Sequence, residues 1–118
     1  MEKSVNKVEL SGFVGIDPEV KTLKSGNKMI RFSLATSESY KNASNEWVRN
    51  TTWHNIVMWD KIADKAIETI KKGMFVSLLG KIVHREYTDK NGVKQNVFEI
   101  MAFSFEVVDV KKPVAEKV

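Results

Sequence analysis

Strand-like segments dominate this chain, and only one segment has the spacing of a helix. Five runs alternate apolar and polar residues, or concentrate β-branched and aromatic residues, as β-strands do. The five predicted strands are, in chain order, 5–14, 29–38, 47–59, 74–87 and 93–110. A shorter extended piece is predicted at 19–23, with turns at 25–27, 41–46 and 88–92. The last strand is long, and we expect it to be broken or bulged near its middle.

The predicted helix covers residues 61–72, between the third and fourth strands. Asp60 is expected to cap its N-terminus, and Gly73 to follow its C-terminus. Apolar residues recur in this segment at helical spacing, at Ile62, Ala63, Ala66, Ile67 and Ile70. A helix between the third and fourth of five strands is the element order of the OB-fold, a partly open Greek-key barrel. The sequence therefore predicts an all-β OB-fold, with another small β-barrel or a two-layer α+β sandwich as the alternative.

The length of the chain suits a single compact domain. The 118 residues include no cysteine and carry a net charge of +4. We predict one domain over residues 1–110 and a short, flexible, basic tail over 111–118.

The absence of cysteine excludes disulfides and cysteine-based zinc sites, and no apolar stretch approaches the roughly 20 residues of a membrane span. Because no secretory signal precedes the first strand, we expect a cytoplasmic protein without a membrane partner.

Motifs of catalysis are missing from the sequence. It contains no phosphate-binding loop, no dinucleotide fingerprint and no nucleophile elbow. The two histidines are isolated and make a poor set of metal ligands. We interpret His54 as a hydrogen-bonded core or subunit-contact residue, and His84 as part of a solvated face. The sequence therefore predicts a protein that is not an enzyme and needs no metal or cofactor.

Positive charge is concentrated in two segments. Residues 20–31 contain four basic residues and no acidic one, and residues 81–94 contain four basic and two acidic residues. Such segments suit a polyanionic partner, although lysine-rich loops also serve solubility. The candidates for contact with phosphate groups are Lys21, Arg31, Lys41, Arg49, Lys81, Arg85 and Lys94.

The third strand carries the most informative aromatic residues. Because side chains alternate along a strand, Trp53 and Trp59 share one face, and Ile56 and Met58 occupy the other. If Ile56 and Met58 fill the core, the two tryptophans face outward, where unpaired bases can stack on them. A place for either tryptophan in the core is the alternative interpretation.

Three further aromatic residues lie near turns. Tyr40 ends the second strand and Tyr87 ends the fourth, so each can stack on a base or simply cap a loop. Trp47 begins the third strand beside a polar loop, and the pattern fits a rim position as well as a role in packing that loop. The residue pattern alone does not decide between these roles.

A succession of segments resembles the DNA-binding domain of the bacterial single-stranded DNA-binding proteins. The segments are 5–12, 17–20, 34–39, 52–57 and 71–73. The resemblance runs from about residue 5 to 108, in order and with spacing typical of the family.

This resemblance implies sequence-independent binding and protection of single-stranded DNA during replication, recombination and repair, without catalysis. It implies base stacking on Trp53, which matches a family tryptophan, and on Tyr40 and Tyr87, which stand where many members have tryptophan. Trp59 is the fourth implied stacking residue, and it stands where many members have phenylalanine. A homotetramer with 222-type symmetry is also implied, with His54 at a subunit contact.

The resemblance has one departure, at residues 111–118. Family members usually continue into a long Gly-, Pro- and Gln-rich tail, whose acidic tip recruits replication and repair enzymes, whereas this segment is basic. The resemblance therefore does not carry that recruitment over to this chain. Two other functions stay open: an OB-fold module that binds RNA or serves a primosome as an accessory protein, and an interaction barrel whose aromatic residues form a subunit interface.

Overall fold

Six strands and one helix make up residues 3–108, the part of the chain that the computed structural model describes. The elements are β1 (Val8–Val14), β2 (Glu19–Thr22), β3 (Lys28–Lys41), β4 (Trp47–Trp59), α1 (Asp60–Thr69), β5 (Phe75–Thr88) and β6 (Lys94–Val108). The strands form one sheet in the order β1-β5-β6-β4-β3-β2, and a second pairing of β1 with β3 closes it. β2 lies at the edge, so the other five strands form a barrel with α1 between the third and fourth of them. The predicted OB-fold is confirmed.

The strands of the barrel pair antiparallel with one exception. β4 and β6 run parallel, and only Ile56–Ile100 and Val57–Met101 are paired there. By contrast, β3 pairs with β4 as far as Lys41, and β5 pairs with β6 as far as Thr88. Both pairs therefore extend past the barrel as long hairpins, joined to each other by a short parallel seam.

The hydrophobic core lies inside the barrel and is covered by α1. Ile30, Leu34 and Ile56 are fully buried, and α1 contributes Ala63 and Ala66. Burial follows the predicted alternation at Phe32 and Leu34 of β3, but Val57 of β4 is 1% exposed although it shares its face with Trp53 and Trp59. No helix in the described part of the chain is long and apolar enough to cross a membrane.

β1 begins at Val8, later than the predicted start at residue 5. Before Val8, the side chain of Asn6 takes the place of backbone hydrogen bonds to β5. The Asn6 amide nitrogen donates to the Ile82 carbonyl at 2.8 Å, and the Ile82 N–H donates to the Asn6 side-chain oxygen at 3.0 Å. Asn6 thus continues the contact with β5 through its side chain, and the regular backbone ladder starts after it.

α1 spans Asp60–Thr69, so the prediction of a helix over 61–72 is wrong at its C-terminal end. Asp60 is not the N-cap either: Trp59 holds that position, without a side-chain cap, and Asp60 has a φ of 57°. The helix ends before Ile70, which is 2% exposed, because the predicted last residues of the helix make tertiary contacts instead. Here the Lys72 N–H donates to Asp17 and the Gly73 N–H to the Val14 carbonyl.

The predicted irregularity of the last strand is confirmed. Leu79 pairs with Ser104 and Gly80 with Ala102, so Phe103 is an extra residue on β6 without a partner on β5. β6 is described as far as Val108. The predicted end of this strand at residue 110 and the predicted tail at 111–118 lie outside the described residues.

Candidate nucleic-acid interface

The register of the sheet brings most of the candidate residues to one side of the barrel. Arg31 of β3 pairs with Val57 of β4, Val57 pairs with Met101 of β6, and Met101 pairs with Lys81 of β5. Directly paired residues point to the same side of a sheet, so this row defines the side opposite the core residues Ile56 and Ile100, which we call the outer face. Val57 itself is buried there, at 1% exposed. The candidates at outer-face positions are Lys21, Arg31, Lys41, Arg49, Trp53, Trp59, Lys81, Arg85 and Tyr87.

Tyr40 and Lys94 are the two candidates whose positions lie on the side of the sheet opposite the outer face. Tyr40 pairs with Val48, and Lys94 pairs with Thr88, and both positions alternate with outer-face positions on their strands. Both side chains are exposed, each beside the turn of its hairpin. The structure therefore does not place the four candidate aromatic residues on a single face.

Trp53 lies on the outer face with 59% of its surface exposed. Its direct partner on β3 is Ala35, whose small side chain leaves the ring uncovered on that side. Gly15 lies against the edge of the ring, because a Cβ atom built there would overlap Cζ3 of Trp53 and come within 2.8 Å of Cη2. The indole thus packs with one edge against Gly15, while most of the residue stays exposed for stacking.

Replacing Gly15 with alanine is expected to displace the Trp53 ring while leaving the fold intact. The overlapping atoms belong to an exposed side chain, which can rotate away, so the melting temperature should stay close to that of the wild type. Binding of an oligo-dT should weaken about fivefold, as a stacking contact loses its alignment. In a Trp53→Ala background the same substitution should have no further effect on affinity, and an additional loss there would contradict this explanation.

Trp59 ends β4 on the outer face and is 39% exposed. Its partner on β3 is Met29, which is buried and which also pairs with Lys21 of β2. The core position that the sequence allowed for Trp59 and for Trp53 is therefore wrong. Lys21, Met29 and Trp59 thus form one row across three strands on the outer face.

Tyr87 lies near the end of β5, and the guanidinium carbon of Arg85 is 5.6 Å from the centre of its ring. The following turn is held by Asp89, which accepts hydrogen bonds from the N–H groups of Val93 and Asn91 and from the Gln95 amide. The bonds from Val93 and Gln95 lower the pKa of Asp89 below its ordinary value. The turn chemistry therefore fixes the part of the hairpin that presents Tyr87.

Trp47 is a rim residue and not a loop-packing residue. It is 71% exposed and lies on the outer face, and the Lys41 ammonium is 5.6 Å from the centre of its ring. The loop beside it is closed by Asn42, whose side-chain oxygen accepts hydrogen bonds from the N–H groups of Ser44 and Glu46. This hairpin end therefore presents a second pairing of an aromatic ring with a cation.

A buried carboxylate joins two of the candidate arginines. Glu99 is 5% exposed, and its Oε2 accepts from Arg31 Nε at 3.1 Å while its Oε1 accepts from Arg85 Nε at 3.0 Å. Burial by itself raises the pKa of Glu99. The hydrogen bond from Arg85 and the charges of both arginines together lower it by more, so the pKa of Glu99 lies below its ordinary value. The carboxylate is therefore ionised at neutral pH and paired with both guanidinium groups.

The two histidines have side-chain partners. His54 is half-buried, and its Nε2 lies 2.9 Å from Thr36 Oγ1. His84 is exposed, as predicted, with Nε2 2.8 Å from Asn96 Oδ1 and its ring 4.9 Å from that of Phe98. Within residues 3–108, no three His, Asp or Glu side chains are grouped closely enough to hold a metal ion.

Sequence reasoning missed two residues of this region, Glu99 and Phe98. Phe98 is exposed and lines a cleft together with Trp53, Asn55 and Glu99. A signal for Glu99 exists in the sequence, since it is the acidic residue of the otherwise apolar run 97–102. Its partners could not be identified that way, because Arg31 is 68 residues away.

Comparison with known proteins gives a consistent result. The model of the "Single-strand binding protein family" matches residues 5–108. A "Single-stranded DNA-binding protein" of Neisseria meningitidis is 41% identical over 99 residues, which cover 84% of this chain and 57% of that protein. A "Single-stranded DNA-binding protein 1" of Chlorobaculum tepidum is 38% identical over 112 residues, 94% of this chain and 69% of that protein. The chain thus spans little more than half of the Neisseria relative.

Solved structures are similar as well. The structure described as "Plasmodium falciparum SSB complex with ssDNA" superimposes with a TM-score of 0.81 at 33% identity, covering 92% of this chain and 99% of that one. A deletion mutant of the single-stranded DNA binding protein from Thermus aquaticus gives a TM-score of 0.79, over 91% of this chain and 52% of that one. At 18% identity the second similarity supports the fold alone.

Proposed function

Because the chain belongs to the single-strand binding protein family, we propose that it binds single-stranded DNA without sequence preference. The observation that carries the proposal is the accessible ring of Trp53 on the outer face, which pairs with the small residue Ala35 and lies with one edge against Gly15. Every base has a π-face, so stacking on such a ring tolerates any sequence and contributes about 1–3 kcal/mol per base. Trp59, Tyr87 and Tyr40 are the further stacking residues that we propose.

Basic residues around these rings are proposed to bind the phosphate groups. Three of them, Lys21, Lys81 and Arg49, are exposed at outer-face positions. Arg31 of β3 and Arg85 of β5 converge on Glu99. Lys41 and Lys94 lie at the ends of the two hairpins. Contacts of this kind release counterions, so affinity should fall with rising salt concentration.

We infer that this binding keeps DNA strands unpaired and shielded in the cytoplasm during replication, recombination and repair. The inference rests on family membership and on an interface that offers stacking and charge but no catalytic group of its own. We propose no enzymatic activity. The whole proposed mechanism is reversible binding by rings and cations.

We propose that the protein acts as a homotetramer, with His54 at a subunit contact. β1 supports this assembly, because β5 pairs with it from Val8 to Phe13 while β3 pairs with Phe13 and Val14 alone. Among the described residues, the second edge of β1 is therefore unpaired from Val8 to Ser11, and an open edge accepts another strand. Sedimentation velocity over a range of concentrations tests the proposal: a tetramer supports it, and a monomer at all concentrations contradicts it.

The proposed function is tested by the anisotropy of a labelled oligo-dT at several salt concentrations. Tight binding to oligo-dT, weak binding to duplex DNA and an affinity that falls with salt are expected. An RNA of matching sequence is the third arm of the experiment. Preference for the RNA would favour the RNA-binding alternative, since 2′-hydroxyl contacts distinguish the two polymers. Absence of binding to oligo-dT would overturn the proposal.

A further inference from the structure

We propose that Glu99 is a positioning residue of this interface, which holds Arg31 and Arg85 together so that the pair binds one backbone phosphate beside Trp53. The inference rests on the proposed function, because it concerns how the outer face binds single-stranded DNA. It concerns a residue whose negative charge by itself opposes such binding.

The position of Glu99 is unexpected for an interface with a polyanion. Its carboxylate is buried on a face rich in lysine and arginine, and it faces Arg31 and Arg85. A buried carboxylate is tolerated only where it is paired, and breaking such a pair is costly. Both oxygens are paired here, since Oε2 also lies 3.4 Å from Nη2 of Arg85. Glu99 thus determines where two guanidinium groups lie.

The Arg31–Glu99 ion pair crosses one of the two short junctions of the barrel, whereas Arg85 and Glu99 belong to the same hairpin. Arg31 belongs to β3 and Arg85 to β5, and the strand order places β4 and β6 between them. The β4–β6 seam has only two paired residues on each strand, so the backbone holds the two hairpins together over a short distance. Glu99 therefore fixes the hairpin that carries Trp53 relative to the hairpin that carries Tyr87.

The arrangement leaves donors available for a ligand. Each guanidinium has five N–H donors, and Glu99 uses the Nε edge of both arginines and one terminal nitrogen of Arg85. Among the described residues, no other side chain accepts a hydrogen bond from either arginine. Both arginine side chains are partly exposed. Their remaining N–H groups match the oxygens of a phosphate, which arginine binds in the same way as a carboxylate.

The phosphate would lie next to the bases that stack on the rings. Arg85 lies 5.6 Å from the Tyr87 ring, and Glu99 lines the same cleft as Trp53. A phosphate held by the two arginines is thus flanked by an aromatic ring on each hairpin. Cations that follow the backbone, combined with rings on which bases stack, are the means by which proteins bind single strands.

Glu99→Gln separates positioning from simple charge by the sign of its effect. The substitution makes the protein more positive, so charge alone predicts tighter binding to oligo-dT and a steeper dependence on salt. If Glu99 positions the arginines, binding should instead weaken about tenfold, the loss expected for hydrogen bonds to a charged group. The slope of log K against log salt should become shallower by about 0.7, the value for one phosphate contact on a single strand.

Glu68→Gln is the matched control, because Glu68 is exposed on α1 and the change in charge is the same. It should leave the affinity and the slope close to those of the wild type. In the background of Arg31→Ala with Arg85→Ala, Glu99→Gln should cause no further loss, since it acts through these two residues. A folded Glu99→Gln protein that binds as tightly as the wild type, or more tightly, overturns the proposal.

Arg85→Lys decides the question if Glu99→Gln does not fold. Arg85 is partly exposed and lysine keeps its charge, so the fold should persist while the paired N–H donors are lost. Weaker binding with a shallower salt slope supports the proposal, and unchanged binding contradicts it. Failure of the wild-type protein to bind oligo-dT would instead contradict the proposed function, so the two failures are distinguishable.

Discussion

Trp53→Ala is expected to weaken binding to oligo-dT by about 1–3 kcal/mol, or roughly five- to 150-fold. The physical reason is the loss of a stacking surface that the outer face presents to solvent, with 59% of the residue exposed. Stability should change little, by about 0.5 kcal/mol or less, because the side chain contributes little to the core. The measurements are anisotropy titrations with labelled oligo-dT and urea unfolding of the same samples.

Trp53→Phe provides the matched control for this substitution. It keeps a π-face at the same position, so most of the affinity should be retained. If Trp53→Ala binds as well as the wild type, the ring does not contact bases, and the interface lies elsewhere. If the variant loses stability and affinity together, Trp53 has a structural role that its exposure does not indicate.

Gly12→Ala is expected to have the largest effect on stability, about 3 kcal/mol, at the upper end of the range for overpacking. Gly12 is buried in β1, where the barrel closes against β3. A Cβ atom there would overlap the Ala35 carbonyl oxygen and lie 2.9 Å from its carbon. The clash is with backbone, so the two strands must separate to relieve it. Urea unfolding measures the loss.

Gly15→Ala is the control for the Gly12 substitution. Both glycines have crowded Cβ positions, but at Gly15 the nearest atoms belong to the exposed Trp53 side chain and at Gly12 to the backbone. We expect Gly12→Ala to lower the free energy of unfolding, and Gly15→Ala to lower affinity for DNA. Equal stability of the Gly12→Ala protein and the wild type would show that β1 and β3 do not close the barrel so tightly.

Local sequence patterns predict most elements of this fold. The bounds of β4 agree with the prediction, because a run of β-branched and aromatic residues is limited by a polar loop and by the start of α1. The end of α1 was predicted incorrectly, since long-range contacts of Lys72 and Gly73 compete with helix formation. The start of β1 differs for a similar reason, as Asn6 contacts β5 through its side chain.

The candidate interface could be predicted only where it depends on alternation within one strand. The outward positions of Trp53 and Trp59 follow from the parity of β4. The opposite position of Tyr40 depends on the register between strands, which local patterns do not contain. The link from Glu99 to Arg31 depends on the closure of the barrel, which brings together residues that are distant in sequence.

The central claim is that Trp53 stacks on bases of single-stranded DNA, and tryptophan emission tests it most directly. In a Trp47→Phe, Trp59→Phe variant, Trp53 is the remaining tryptophan, so its emission can be followed alone during titration with oligo-dT. We predict strong, saturable quenching by oligo-dT and little response to duplex DNA. Unchanged emission, while anisotropy shows that the oligonucleotide is bound, would contradict the claim and place the contact with the bases elsewhere.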